Sequence, residues 1–332
     1  MAAWGSAYVA VGEKLGGTGA QAAAWISGDG TSWQQTLLDG ANGETGRARQ
    51  VVSANGGLVA VGWLGVEHCP PGGEGAPPCD PLPIVTWTSP DGRAWIRHDL
   101  GDAFAGARFT AVATDATELR AVGISPTGAA AIWSSTDGVS WTPEDLGQEF
   151  EQANLADIAW TGSTWLIGGS VGPIQQSGGV VEPPSTKAAI WRADDSGSWQ
   201  RADFGKAAWN IRKLSESSGG IVASAEAGDS AKADTFWWSP DGTDWTPAPG
   251  IPMPAASDGQ RLIGLAFATG DWIAYSISMD GQQWQDLPDS GDLATRPRWG
   301  IRPQGDLAFL IGDWLFVTSS DGFLWPALIT HP

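Results

Sequence analysis

Short runs of alternating apolar and polar residues, broken by glycine- and proline-bearing turns, cover this chain from one end to the other. In the middle, Phe109-Thr-Ala-Val-Ala113 is followed by Leu119-Arg-Ala-Val-Gly123, then Ala130-Ala-Ile-Trp-Ser134, then Trp141-Thr-Pro143. Such runs, rich in β-branched and aromatic residues, predict four short strands, and the turn residues between them predict antiparallel connections. The same layout returns in each repeat, so the pattern describes a reiterated four-stranded sheet.

Between the third and fourth predicted strands stands a phrase that recurs along the whole chain. It reads Ser27-Gly-Asp29-Gly-Thr-Ser-Trp33, Ser89-Pro-Asp91-Gly-Arg-Ala-Trp95, Ser135-Thr-Asp137-Gly-Val-Ser-Trp141, Ala193-Asp-Asp195-Ser-Gly-Ser-Trp199, Ser239-Pro-Asp241-Gly-Thr-Asp-Trp245, Ser278-Met-Asp280-Gly-Gln-Gln-Trp284 and Ser319-Ser-Asp321-Gly-Phe-Leu-Trp325. Successive aspartates stand 39 to 62 residues apart, a spacing that marks a stacked or radial repeat array. Four antiparallel strands repeated about seven times predict an all-β chain, a seven-bladed β-propeller forming one domain over residues 1–332. The predicted blades are approximately 1–40, 41–100, 101–147, 148–203, 204–248, 249–288 and 289–332. Blade two carries an insertion at 63–83 and blade four one at 171–187. Both are expected on the face opposite the Asp phrases, where loops are free to vary. Blade six is expected to have a short or missing strand, because Arg261 to Asp280 has room for only two clear ones.

The phrase has a local physical reason. An aspartate in a tight strand connection accepts hydrogen bonds from turn amides, the following glycine supplies a positive φ, and the preceding serine caps the same turn. The tryptophan opens the outermost strand and buries its ring between blades. A catalytic role for all the aspartates would require as many equivalent active sites, so Asp29, Asp91, Asp137, Asp195, Asp241, Asp280 and Asp321 are read as turn-holders. Trp33, Trp95, Trp141, Trp199, Trp245, Trp284 and Trp325 are read as packing residues.

This phrase resembles the Asp-box, or bacterial neuraminidase repeat, whose usual form is Ser-x-Asp-x-Gly-x-x-Trp; here it is one residue shorter, with glycine directly after aspartate. The resemblance covers the whole chain and implies a sialidase-like propeller with the phrase in the hairpin between third and fourth strands. Sialidase activity would further imply a Phe/Tyr-Arg-Ile-Pro element, three substrate-gripping arginines, a tyrosine nucleophile served by a glutamate, and an acid aspartate. The nearest fragment, Gly300-Ile-Arg302-Pro303, lies in the last repeat, and Tyr8 and Tyr275 have no glutamate placed to serve them. The resemblance therefore implies the fold without the sialidase catalytic motif.

The formal charge of −19 sets a field that repels nucleic acid and anionic bilayers, and no apolar run is long enough for a membrane-spanning helix. Three histidines, His68, His98 and His331, show no metal-ligand spacing, and neither a metal nor another cofactor is expected. Gly168-Gly-Ser170-Val-Gly172 matches the nucleophile-elbow pattern but falls at the end of a predicted strand before a long loop, without the required helix. Cys69 and Cys79 flank a proline- and glycine-rich loop, an arrangement that favours a disulfide and an oxidising compartment over a pair of free thiols. Ala10-Val11-Gly12 aligns with Ala121-Val122-Gly123, so the first strand is expected to begin upstream of Met1, together with any export signal. The expected location is extracellular or at the cell surface, and the expected state a monomer.

One constellation carries a binding hypothesis. Aligning the residue ahead of each innermost strand gives Arg49, Arg108, Asn154, Trp209, Arg261 and Arg298, positions expected around the mouth of the central channel. Guanidinium groups suit bidentate recognition of carboxylate or phosphate, and a tryptophan offers a stacking surface. The expected role is non-catalytic: a module that binds an anionic glycan end or small anion, or that grips a protein. The competing arrangement pairs each arginine with an acid of the preceding link, at Asp39, Asp99, Asp145, Asp203 and Asp289. The alternative functions are a glycoside hydrolase or polysaccharide lyase on the same face, and an assembly factor.

Overall fold

A computed structural model describes residues 2–5, 7–16, 19–28, 33–38, 44–54, 56–65, 82–172, 186–194, 197–204, 208–227, 235–257, 262–267, 273–286, 308–311, 314–318 and 324–328. Among these the chain is all-β, with antiparallel sheets whose strands follow one another in sequence order. The third sheet is representative: Arg108–Thr114, Leu119–Ile124, Ala130–Ser135 and Thr142–Pro143. Six sheets of four strands and one of three are described. The first strand of the seventh repeat and Asp321 lie outside the described residues, and the seven-blade count stays an expectation of the sequence.

From the second to the sixth, each sheet lays its first strand against the sheet before it; the seventh meets the sixth through the strand Leu324–Leu328. The hydrophobic core is accordingly divided into layers between sheets. Val59, Val61 and Ile84 of the second sheet meet Phe109, Ala121 and Trp133 of the third in one layer. Val122 and Ile132 of the third meet Leu155, Ile167 and Trp191 of the fourth in the following layer. Strand alternation produces this division, because Ala121 and Val122 are neighbours in sequence yet point to opposite faces, and both faces are buried. The two middle strands of a sheet consequently carry unbroken apolar runs such as Ala188-Ala-Ile-Trp191, whereas the fourth strand is edge-exposed, with Ile96 at 61%.

Aromatic residues in the links between sheets close these layers. Phe150, at the end of the short turn Gln148–Phe150, stacks on Trp191 with ring centres 5.3 Å apart and meets Trp199 edge-on at 5.7 Å. Phe204 takes the equivalent place against Trp237 and Trp245, meeting both edge-on at 4.9 and 5.9 Å. Phe104 meets Trp133 at 6.1 Å in the sheet before them.

The sixth sheet has a short first strand, as expected, and no strand is missing from it. It has four: Met253–Ser257, Leu262–Phe267, Ile273–Ser278 and Gln285–Asp286. Its first strand lies upstream of Arg261, in the run Met253-Pro-Ala-Ala-Ser257, where a proline and small side chains hide the usual strand signal.

Candidate functional site

The Asp phrase forms a self-contained turn. Asp137 Oδ1 accepts from the amides of Val139 and Ser140, both at 2.8 Å, while Ser135 Oγ accepts from the Gly138 amide at 2.9 Å. Trp141 Nε1 returns a hydrogen bond to the Gly138 carbonyl at 3.2 Å. The phrases at Asp91, Asp241 and Asp280 repeat the pattern, each with its glycine at positive φ. Amides from Ala94 and Arg93 hold the Asp91 carboxyl below its ordinary value. At Asp137 burial pushes upward, but the Ser140 and Val139 amides and the Ser135 hydroxyl outweigh it and the net shift is downward. Asp29, Asp195 and Asp321 lie outside the described residues.

The glycine of the turn has a second role that the sequence did not reveal. A Cβ on Gly138 would stand 2.6 Å from Val59 of the preceding sheet, and one on Gly242 would stand 2.7 Å from Leu166. In the second, third, fifth and sixth sheets the turn is thus pressed against the middle strands of the sheet before it.

The first strands carry the candidate ligand residues, and their pairing registers correct the alignment of arginines. Each of these strands from the second to the sixth sheet contains a bulge; at Arg49, Thr110 and Ala156 it faces Gly62, Gly123 and Gly169 on the neighbouring strand. A Cβ at any of those glycines would fall about 2 Å from the carbonyl oxygen of Arg47, Arg108 or Asn154, which explains why glycine is needed there. The same registers make Arg47, Arg108, Asn154 and Asn210 the equivalent positions. Arg49 is two residues further along, on the bulge, and Trp209 one residue earlier. The Arg47-Ala-Arg49 doublet allowed either arginine to be matched to Arg108. In the sixth sheet the equivalent residue is Met253, so Arg261, outside the described residues, precedes a second strand instead of a first. Arg298 also lies outside the described residues.

Arg47, Arg49 and Arg108 come together. Arg49 is solvent-accessible and donates from Nε to the Thr110 carbonyl at 3.0 Å. Burial holds the Arg49 guanidinium's pKa below the ordinary arginine value, Asp157 opposes this, and the charges of Arg47 and Arg108 lower it further. Arg47 is paired there with Glu13, at 2.8 Å through Nε and 2.5 Å through Nη2. Asn154 donates to the Gly172 carbonyl at 3.2 Å.

Beside the arginines runs a ladder that ties neighbouring first strands. Gln50 donates to the Val112 carbonyl at 2.6 Å and accepts from the Val112 amide at 3.1 Å. Thr110 Oγ1 donates toward the Leu155 carbonyl at 2.9 Å. Asp157, at the position of Gln50 two sheets on, accepts from the Leu214 amide at 2.8 Å and lies 3.6 Å from Lys213. Near the far end of the fifth sheet's first strand, burial raises the Glu216 carboxyl to about 7; Asp157 pushes the same way, and Lys213 and the Trp160 amide oppose it. Gln50, Thr110, Asp157 and Glu216 escaped the sequence reading because nothing in composition or spacing separates them from other strand polars.

The remaining candidates have structural settings. Ser170 lies within the strand Trp165–Val171, and His98 shares a 2.8 Å hydrogen bond with Thr88 Oγ1. Cys69, Cys79, His68 and His331 lie outside the described residues. Among the described residues no group of three potential metal ligands is gathered, and no helix is long and apolar enough to cross a membrane.

In-line sheets of this kind, layered one on the next with link aromatics between them, define a β-propeller, and solved structures bear out the class. An ancestral GH74 enzyme superposes with a TM-score of 0.52 at 14% identity, covering 99% of this chain and 47% of its own. The acylaminoacyl peptidase of Pyrococcus horikoshii matches with a TM-score of 0.50 at 11% identity, over 82% of this chain and 43% of the peptidase. The Trypanosoma rangeli sialidase, solved with 2,3-difluorosialic acid, gives 0.48 at 13% identity, over 89% of this chain and 55% of that one. The chain thus spans about half the length of these proteins, and at such identities the likeness is one of fold. No family model and no curated protein matches the sequence.

Proposed function

We propose that this propeller is a binding module that holds an anionic ligand, the carboxylate-bearing end of an acidic glycan, at the mouth formed by Arg47, Arg49 and Arg108. The observation that carries the reading is the convergence of three guanidinium groups from two adjacent sheets, close enough for Arg47 and Arg108 to disfavour the charge on a solvent-accessible Arg49. The charges of Arg47 and Arg108 act against that of Arg49 and Asp157 offsets them in part, so an anion sharing the space would relieve the remaining repulsion. Glu13 neutralises Arg47 from one side, and guanidinium groups such as those of Arg49 and Arg108 suit the bidentate recognition of carboxylates. That a GH74 enzyme has this fold agrees with a sugar ligand. The turns built on aspartate and tryptophan fit an Asp-box variant whose role is architectural. A location outside the cell, where acidic glycans are met, belongs to the same reading.

Calorimetric titration with glucuronic acid and sialic acid tests it, comparing the wild type with an Arg49→Ala, Arg108→Ala double variant. Binding by the wild type that the double variant loses supports the proposal. Equal or negligible heat for both removes it. Turnover of any chromogenic glycoside or acidic polysaccharide by the purified protein would replace it with the glycosidase or lyase alternative.

A further inference from the structure

On the opposite face, between the fourth and fifth sheets, lies a cleft of about 390 Å³. Its walls are the turn after the strand Ala153–Trp160, the turn after the strand Ala208–Ser217, and the Asp241 phrase. Trp160 and Glu216 line it, one from each sheet, and are joined by a hydrogen bond from the Trp160 amide to the Glu216 carboxylate.

The walls are fixed in place. The Gly219 amide and Ser218 Oγ both reach the Met279 carbonyl of the sixth sheet, at 3.1 and 3.0 Å. Thr161 closes its own turn through the Thr164 carbonyl, 3.0 Å from its amide. These bonds also decide the chemistry on offer. The proton of Ser217 goes to the Gly220 carbonyl at 2.7 Å, that of Ser218 to Met279, and that of Thr161 to the Thr164 carbonyl at 3.1 Å. With Thr161 as acceptor, Ser163 gives its proton to Thr161 Oγ1 at 3.3 Å. Thr161 Oγ1 is saturated, because it also accepts from the Thr164 amide at 3.1 Å. Ser217 and Ser218 keep lone pairs to offer, and the carboxylates of Asp241 and ionised Glu216 are acceptors as well. No lysine, arginine or histidine is among the lining residues.

A cleft made of acceptors, negative charge and one indole selects its ligand by elimination. An anion would be repelled, and a neutral sugar would find few donors for its own oxygens. An ammonium or guanidinium group meets only favourable partners: hydroxyl lone pairs, two carboxylates and an aromatic wall. We propose that this cleft is a binding site for an organic cation, an alkylammonium or guanidinium group of the kind carried by a lysine or arginine side chain. The site stands on the face opposite the arginine mouth and does not depend on that reading.

The charged groups around Glu216 are Asp157 from the fourth sheet, Lys213 on its own strand and Asp241 across the cleft. A cation arriving beside Glu216 favours the ionised carboxylate and displaces its proton. With the carboxyl at about 7, the ionised fraction rises about tenfold from pH 6 to pH 8, and affinity for a cation is expected to rise by the same factor. Titration calorimetry of n-pentylammonium chloride into the whole chain at pH 6, 7 and 8, in two buffers of different ionisation heat, measures both affinity and proton release. 1-Pentanol serves as the uncharged counterpart.

The expected result is binding of pentylammonium but not of pentanol, proton release near pH 7, and an affinity that strengthens about tenfold across the range. Glu216→Gln keeps an acceptor for the Trp160 amide and should bind more weakly, without pH dependence or proton release. Glu151→Gln, which removes an exposed acid from a distant link, should bind as the wild type does. The proposal is overturned by no binding, by equal binding of pentanol, by an affinity flat with pH, or by equal losses in Glu216→Gln and Glu151→Gln. The last outcome would mark diffuse attraction to an acidic surface.

Discussion

Replacing Gly138 with alanine separates two costs that a turn glycine ordinarily conceals. Gly138 has φ of 72°, and Gly128, in the hairpin between the second and third strands of the same sheet, has φ of 85°. A side chain at either must adopt the left-handed region, at roughly 1–2 kcal/mol. At Gly128 the new Cβ meets nothing within 4 Å, whereas at Gly138 it stands 2.6 Å from Val59 Cγ2, 2.7 Å from Cγ1 and 3.2 Å from Cβ. Because both methyls and the branching carbon crowd the same point, no rotation of the valine clears it, and overpacking adds roughly 1–3 kcal/mol. Gly138→Ala should therefore destabilise by about 2–5 kcal/mol and Gly128→Ala by about 1–2 kcal/mol. Urea denaturation reads the difference as a larger fall in midpoint at unchanged slope. Adding Val59→Ala should return part of the loss in the Gly138→Ala background, a coupling expected of touching residues. Midpoints that coincide for the two alanine variants would refute the close docking of the turn on the preceding sheet.

Three further outcomes can be checked. Glu216 has a raised folded-state value, so its contribution to stability is complete below its ordinary value of 4.5 and is lost as pH rises through about 7. The free energy of unfolding of Glu216→Gln relative to wild type should accordingly grow from near zero at pH 5 to about 1–2 kcal/mol at pH 8, after allowing for partial solvent screening, and a difference constant over that range would contradict the burial argument. Asp137→Ala removes the acceptor of two turn amides and should cost about 1–2 kcal/mol at pH 7. Since the Asp137 carboxyl is held below its ordinary 3.8, the gap from wild type should close as pH falls beneath that value, as acid denaturation curves of the two proteins would reveal. Phe150→Ala empties a position 5% exposed that stacks on Trp191, and a loss of about 3–4 kcal/mol in thermal or urea unfolding is expected.

What could be read from residues alone follows the range of the forces involved. The Ser-x-Asp-Gly-x-x-Trp turn is closed by hydrogen bonds spanning two or three positions, so its geometry was visible in the string itself. The strands of the third sheet were legible because their alternation is strong. The sixth sheet hid its first strand behind Pro254, and the error then moved Arg261 to the wrong strand. Bulges in the first strands are invisible to a count of alternating positions, which is why Arg47 and Arg49 could not be told apart. Partners such as Gln50 with Val112 or Asp157 with Leu214 join residues more than fifty positions apart, and no local pattern announces them.

The contacts between sheets have a direction. A turn glycine presses backward, as Gly138 does on Val59, while a polar residue on the first strand reaches forward, as Gln50 does to Val112. The units that show both contacts therefore carry a plug on one side and a socket on the other, so that successive copies are joined in the same sense. A gene segment encoding one such unit can be duplicated in tandem and remain compatible with its neighbours, so chains of different blade number are within easy evolutionary reach. The same head-to-tail logic means that a terminal unit offers an unmatched half-joint, which only closure on the opposite terminus, or another chain, can satisfy.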